Sequence, residues 1–120
     1  TALHRAGDDT LYDGRVIYGD HCASCHGDNG EGRAPLGPPL AGNRAVTMNS
    51  DVNPIRVVLF GGYPPGTTGN PQPFGMPPFS QALDDEQIAD VLTYMRQSWG
   101  NFAPSVAQIA VHQNRGSPLW

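Results

Sequence analysis

The chain has 120 residues, a length that suits one domain, so every motif in it must share a single core. Its formal charge is −4, and its seven basic residues are all arginines scattered singly among eleven acids, which excludes a basic stripe for nucleic acid or an anionic membrane surface. Leu, Ile, Val and Phe make up only 24 residues, and no apolar run approaches the roughly 18 residues that cross a bilayer.

The N-terminal residues, with His4, Arg5 and Asp8-Asp9, lack a signal-peptide core, so an exported protein is expected here in its mature form. From Asp8 to about Cys22, Leu11, Val16, Ile17 and Tyr18 recur at helical spacing behind an acidic start, which predicts a first helix ending near the cysteines. Gly27 to Phe79 holds ten glycines and ten prolines in 53 residues, which predicts loops over most of that length. One short helix is predicted inside it, with Asn53 as N-cap, Pro54 at the first helical position and Gly61-Gly62 as its end. A loop region of that length in a compact domain needs a central ligand to order it.

The strongest helix is predicted to start at Asp84, where Gln87 completes a capping box. Ile88, Val91, Leu92, Met95 and Trp99 form its apolar stripe, and Gly100 is the expected C-cap. A last helix is predicted from Pro104 to about Arg115, with Val106, Ile109 and Ala110 on one side. The expectation is an all-α fold of three to five helices with almost no sheet. It forms one domain over 1–120, with a core at about 8–100 and a C-terminal extension at 101–120.

Cys22-Ala23-Ser24-Cys25-His26 is a C-x-x-C-H run, the attachment signature of haem c. Two thiols one helical turn apart can add across the two vinyl groups of one haem, and the histidine beside the second thiol can reach the iron. One covalently held haem c would also fill a core that is short of large apolar side chains. The same string occurs in thiol oxidoreductases, and Cys22, Cys25, His26 and His21 could be read as a zinc site. Zinc is disfavoured because adjacent ligands hardly span a tetrahedron, and a thiol pair lacks the expected βαβ surroundings.

For the second axial position, Met76 is the best candidate, since Phe74-Gly75-Met76-Pro77-Pro78-Phe79 can form a rigid loop that aims its thioether. Met95 belongs to the apolar stripe, and Met48 lies in a polar stretch without rigid neighbours. His4, His21 and His112 are read as surface histidines.

With these residues in place, the sequence resembles the class I c-type cytochromes from about Asp13 to Gly100. Gly14 and Tyr18 stand eight and four residues before the first haem cysteine, and Val91 and Tyr94 match the aliphatic-x-x-aromatic pair against which that helix packs. The resemblance implies that the Pro38 carbonyl, after Gly37, accepts a hydrogen bond from His26, and that Leu40 lies against the haem. Arg44 is similar to a propionate-binding arginine, and Leu59, Tyr63 and Phe79 complete the implied haem contacts.

Gly61-Gly62-Tyr63, the Met76 loop and Val91 to Asn101 further resemble the haem domains of bacterial dehydrogenases for alcohols, sugars and sugar acids. Such subunits often carry three C-x-x-C-H sites and an anchor; one such site stands in this sequence, and a free carrier or one domain of something larger is expected rather than an anchored subunit. The resemblance implies a periplasmic single-electron carrier rather than an enzyme. Its donor would be a dehydrogenase and its acceptor a cytochrome, oxidase or other redox protein. The alternative is a haem enzyme or ligand sensor whose sixth ligand is displaced easily.

Overall fold

The computed structural model describes residues 6–62 and 75–116. Six helices occur in them: α1 (Asp8–His21), α2 (Ala23–His26), α3 (Arg44–Thr47), α4 (Val52–Phe60), α5 (Asp85–Arg96) and α6 (Gln108–Arg115). Four of them correspond to the helices predicted from the sequence, and the other two, α2 and α3, are single turns of four residues each. Among the described residues there is no strand, only isolated antiparallel bridges at Arg33/Gly37 and Gly62/Met76.

α1 begins without a side-chain cap, and Asp8 and Asp9 in its first turn face the positive end of the helix dipole. Only Gly14 and Tyr18 of α1 are fully buried, and both lie in its contact with α5. A Cβ at position 14 would stand 2.2 Å from the Asp90 carbonyl oxygen and 2.6 Å from the Tyr94 Cβ, so only glycine permits this approach. Tyr18, Tyr94 and Trp99 form an aromatic cluster at the crossing, with centroids 5.0 to 5.7 Å apart.

The capping box of α5 is present: Asp84 Oδ1 accepts from the Gln87 N–H at 2.8 Å, and Gln87 Oε1 accepts from the Asp84 N–H at 2.9 Å. Ile88, Val91, Leu92 and Met95 are buried as the stripe predicts. The helix nevertheless stops at Arg96, three residues before Trp99, and its C-cap is Gln97 rather than Gly100. Trp99 (φ 57°) and Gly100 (φ 85°) turn the chain back, and the Asn101 side chain then donates to the Met95 carbonyl at 2.8 Å.

α4 starts two residues earlier than predicted. Its first backbone bond runs from the Ile55 N–H to the Asp51 carbonyl, which makes Asp51 the N-cap instead of Asn53. Pro54 falls inside the first turn, where a missing N–H costs nothing. α6 starts four residues later than predicted, because 101–107 is bound to α5. Thr93 Oγ1 accepts from the Val106 N–H, Arg96 Nε donates to the Pro104 carbonyl, and Gln97 Nε2 donates to the Ala103 carbonyl and Ser105 Oγ. This turns the buried face of α6 to Val111, while Ile109, expected inside, is 60% exposed.

Arg96 is 1% exposed, and its guanidinium also donates to the Val46 and Met48 carbonyls at 2.8 and 3.0 Å. A buried cation is tolerated here because backbone oxygens take its protons.

Candidate functional site: the cysteine-histidine turn and the Met76 segment

α1 and α2 meet at Cys22, whose carbonyl accepts from the N–H groups of both Cys25 and His26. This single turn puts the two cysteines and the histidine on consecutive corners of one helical loop. The thiols are not bridged; Cys22 is buried and Cys25 half-buried. Burial first, then the neighbouring Cys25, pushes the Cys22 thiol up to about 12. Attacking thiols of disulfide chemistry have depressed values, so this environment opposes a thiol-exchange role.

His26 Nδ1 lies 2.8 Å from the Pro38 carbonyl oxygen. A carbonyl only accepts, so Nδ1 carries the proton and the lone pair of the neutral ring sits on Nε2, the atom left for a metal. Gly37 makes this contact possible: a Cβ there would be 2.6 Å from the Cys25 carbonyl oxygen and 3.1 Å from His26 Nδ1. Tyr18 reinforces the same corner by donating its hydroxyl to the Gly27 carbonyl at 2.6 Å, and burial raises its pKa.

Met76 is half-buried and packs against the hydrophobic core. Its backbone pairs with Gly62 in both directions, Met76 N–H to Gly62 O at 2.7 Å and Gly62 N–H to Met76 O at 3.1 Å. Gly61, at φ 70°, lies under this pair, and a Cβ there would be 2.3 Å from the Met76 carbonyl oxygen. Farther along, the Phe79 and Ser80 N–H groups bond the Val58 and Leu59 carbonyls at the end of α4. The His21 ring meets the Phe79 ring edge-on at 5.8 Å, which joins the cysteine turn to the Met76 segment. His21 is thus a packing partner as well as an exposed residue.

Leu59 is fully buried, and Leu40 and Phe79 pack against the same cluster. Arg44 stands exposed at the first position of α3, Met48 is exposed and Met95 buried. Tyr63 and His4 lie outside the described residues. His112, exposed as expected, faces Asp85 at 3.2 Å.

Asn101 has a part in this region that sequence reasoning did not assign. It accepts from the Gly42 N–H and donates to the Leu40 and Met95 carbonyls, fixing the Leu40 loop to the end of α5. The only signal for it was its place directly after Gly100.

Unbridged cysteines one turn apart, a histidine with its Nδ1 committed and Nε2 left over, and a thioether on a clamped segment together fit a haem c.

The cytochrome c family model matches residues 11–99. The cytochrome c subunit of a quinone-dependent alcohol dehydrogenase from Gluconobacter oxydans is 38% identical over 109 residues, 88% of this chain and 23% of that protein. The cytochrome c subunit of a gluconate 2-dehydrogenase from Pantoea cypripedii is 40% identical over 98 residues, 81% of this chain and 22% of that protein. The chain therefore spans about a quarter of the length of these relatives. In fold, the crystal structure of cytochrome cL from Methylophaga aminisulfidivorans superposes with a TM-score of 0.59 at 19% identity, covering 94% of this chain and 69% of that one. Motif, fold and relatives agree: the chain belongs to the cytochrome c family, a family of electron carriers, and its cofactor is haem c.

Proposed function

We propose that this chain carries single electrons from a bacterial dehydrogenase to a second redox protein, with thioether bonds at Cys22 and Cys25 and iron ligation by His26 and Met76. The observation that carries the reading is the two-sided backbone clamp of Gly62 on Met76, within a segment that Phe79 ties to the cysteine turn. Haem supplies reversible one-electron chemistry, and thioether ligation favours a relatively high potential.

The residues' own task is to hold their positions. Pro38 orients His26, Leu40, Leu59 and Phe79 of the apolar cluster keep water from the ring, and Tyr63 and Arg44 are proposed as further haem contacts, Arg44 to a propionate. Residues 1–120 act as one cytochrome unit. A dehydrogenase donor is inferred from the relatives, which are cytochrome c subunits of dehydrogenases, and a periplasmic site of action from the assembly of haem c outside the cytoplasm in this family. No helix among the described residues is long and apolar enough to cross a membrane.

The test is Met76→Ala in the haem-loaded protein. The oxidised wild type should show the far-red sulfur-to-iron band. The variant should lose the band, fall in potential and bind carbon monoxide readily. A wild type that lacks the band and binds carbon monoxide would favour a haem enzyme or sensor instead.

A further inference from the structure

One side chain joins α6 to the segment that follows Met76. The Arg115 guanidinium donates from Nη1 to the Ser80 carbonyl, from Nη2 to the Leu83 carbonyl at 3.0 Å, and from Nε to Asp85 Oδ1 at 2.6 Å. The second oxygen of Asp85 faces His112 Nδ1 at 3.2 Å, so this carboxylate sits between two α6 side chains and fixes the plane of the guanidinium.

Ser80 and Leu83 belong to the turn that ends the Met76 segment, in which the Ala82 and Leu83 N–H groups both bond the Phe79 carbonyl. Residues 76–83 are therefore held in three places: by Gly62 at the start, by the Val58 and Leu59 carbonyls midway, and by Arg115 at the end. The first two anchors are neutral backbone bonds. The third is charge-assisted, the stronger kind, and comes from a helix outside the family-matched stretch 11–99.

We propose that Arg115 is a positioning residue for Met76: by seizing two carbonyls at the far end of the segment, it keeps the thioether seated. This rests on the reading of Met76 as an iron ligand. A thioether is a neutral, weak donor, so its hold depends on how little freedom its backbone keeps, and loosening one end of an eight-residue segment lowers its effective concentration at the iron.

The experiment compares the haem-loaded wild type, Arg115→Gln, Arg115→Lys, Thr93→Val and Met76→Ala. It records the sulfur-to-iron band, imidazole affinity in the oxidised state and the melting temperature. Arg115→Gln should bind imidazole about tenfold more tightly as two charge-assisted bonds are lost. Arg115→Lys, which keeps the charge but lacks the fork that spans Ser80, Leu83 and Asp85, should share that defect. Thr93→Val, which loosens 101–107 without touching residues 80–83, should melt lower yet bind imidazole as the wild type does. Unchanged imidazole affinity in Arg115→Gln, or an equal rise in Thr93→Val, overturns the proposal while leaving the band of the wild type intact. A wild type indistinguishable from Met76→Ala in band and imidazole affinity overturns the ligand reading itself, and the brace with it.

Discussion

His26 and Pro38 meet through a 2.8 Å contact between Nδ1 and a carbonyl oxygen twelve residues on, across a turn that only Gly37 can fill. The imidazole is thereby committed to one tautomer and one orientation, as the iron ligation proposed for His26 requires.

Gly37→Ala should disturb that contact. Its Cβ would crowd the Cys25 carbonyl, a backbone atom that cannot swing away, so the turn must shift. A loss of about 1 to 3 kcal/mol in stability and a changed midpoint potential are expected. Thermal melts and redox titration of the loaded protein provide the check, and wild-type values in both would refute the geometric argument.

Two glycines of α1 should respond in opposite directions. Gly14→Ala drives a methyl into the Asp90 carbonyl and should cost about 3 kcal/mol. Gly19→Ala meets nothing within 4 Å on an exposed helical site, and should gain about 0.5 to 1 kcal/mol. Urea denaturation of both variants decides this, since equal effects would mean that helix propensity rather than close approach governs the pair.

Arg96→Met should be severe despite its similar length. It leaves the Val46, Met48 and Pro104 carbonyls without their donor, at a cost of about 3 kcal/mol or more. Amide hydrogen exchange should rise over 44–48 and 103–106 before it rises in α1. Uniform loss of protection would argue against a local staple.

Asp90 supplies a pH signature. Burial, then the charges of Glu86, Asp13 and Asp84, push its carboxyl up to about 6. The folded chain thus holds this proton more tightly than the unfolded chain, whose Asp titrates near about 3.9. The resulting stabilisation is complete below about pH 4 and is lost as pH rises through about 6. Asp90→Asn should match the wild type at about pH 4 and exceed it by on the order of 1 kcal/mol at about pH 7. Denaturation midpoints at both values check the sign, and a variant less stable at the higher pH would contradict it.

The Gly14 crossing is implied only by the resemblance of Gly14, Tyr18, Val91 and Tyr94 to the family's pattern, whereas the cysteine-histidine turn and the capping box could be read from the sequence because each is local. Helix ends could not. Gln97 ends α5 early, and the 101–107 segment stays extended, because side chains of Thr93, Arg96 and Gln97 claim backbone groups that a helix would have used. Nothing in a one-dimensional pattern marks such competition. Met76 stood out for its glycine and proline neighbours, yet its pairing with Gly62 joins positions fourteen apart through residues whose order no periodicity encodes.

The binding of 101–107 to α5 bears on how the protein can be dissected. A fragment trimmed to the family-matched stretch would keep every cysteine and histidine of the attachment turn. It would also strip the donors and acceptors from three buried polar side chains and uncover the apolar flank of α5 that Val106 and Val111 shelter. Such a fragment should carry its haem and still aggregate, so the smallest well-behaved piece has to reach Arg115.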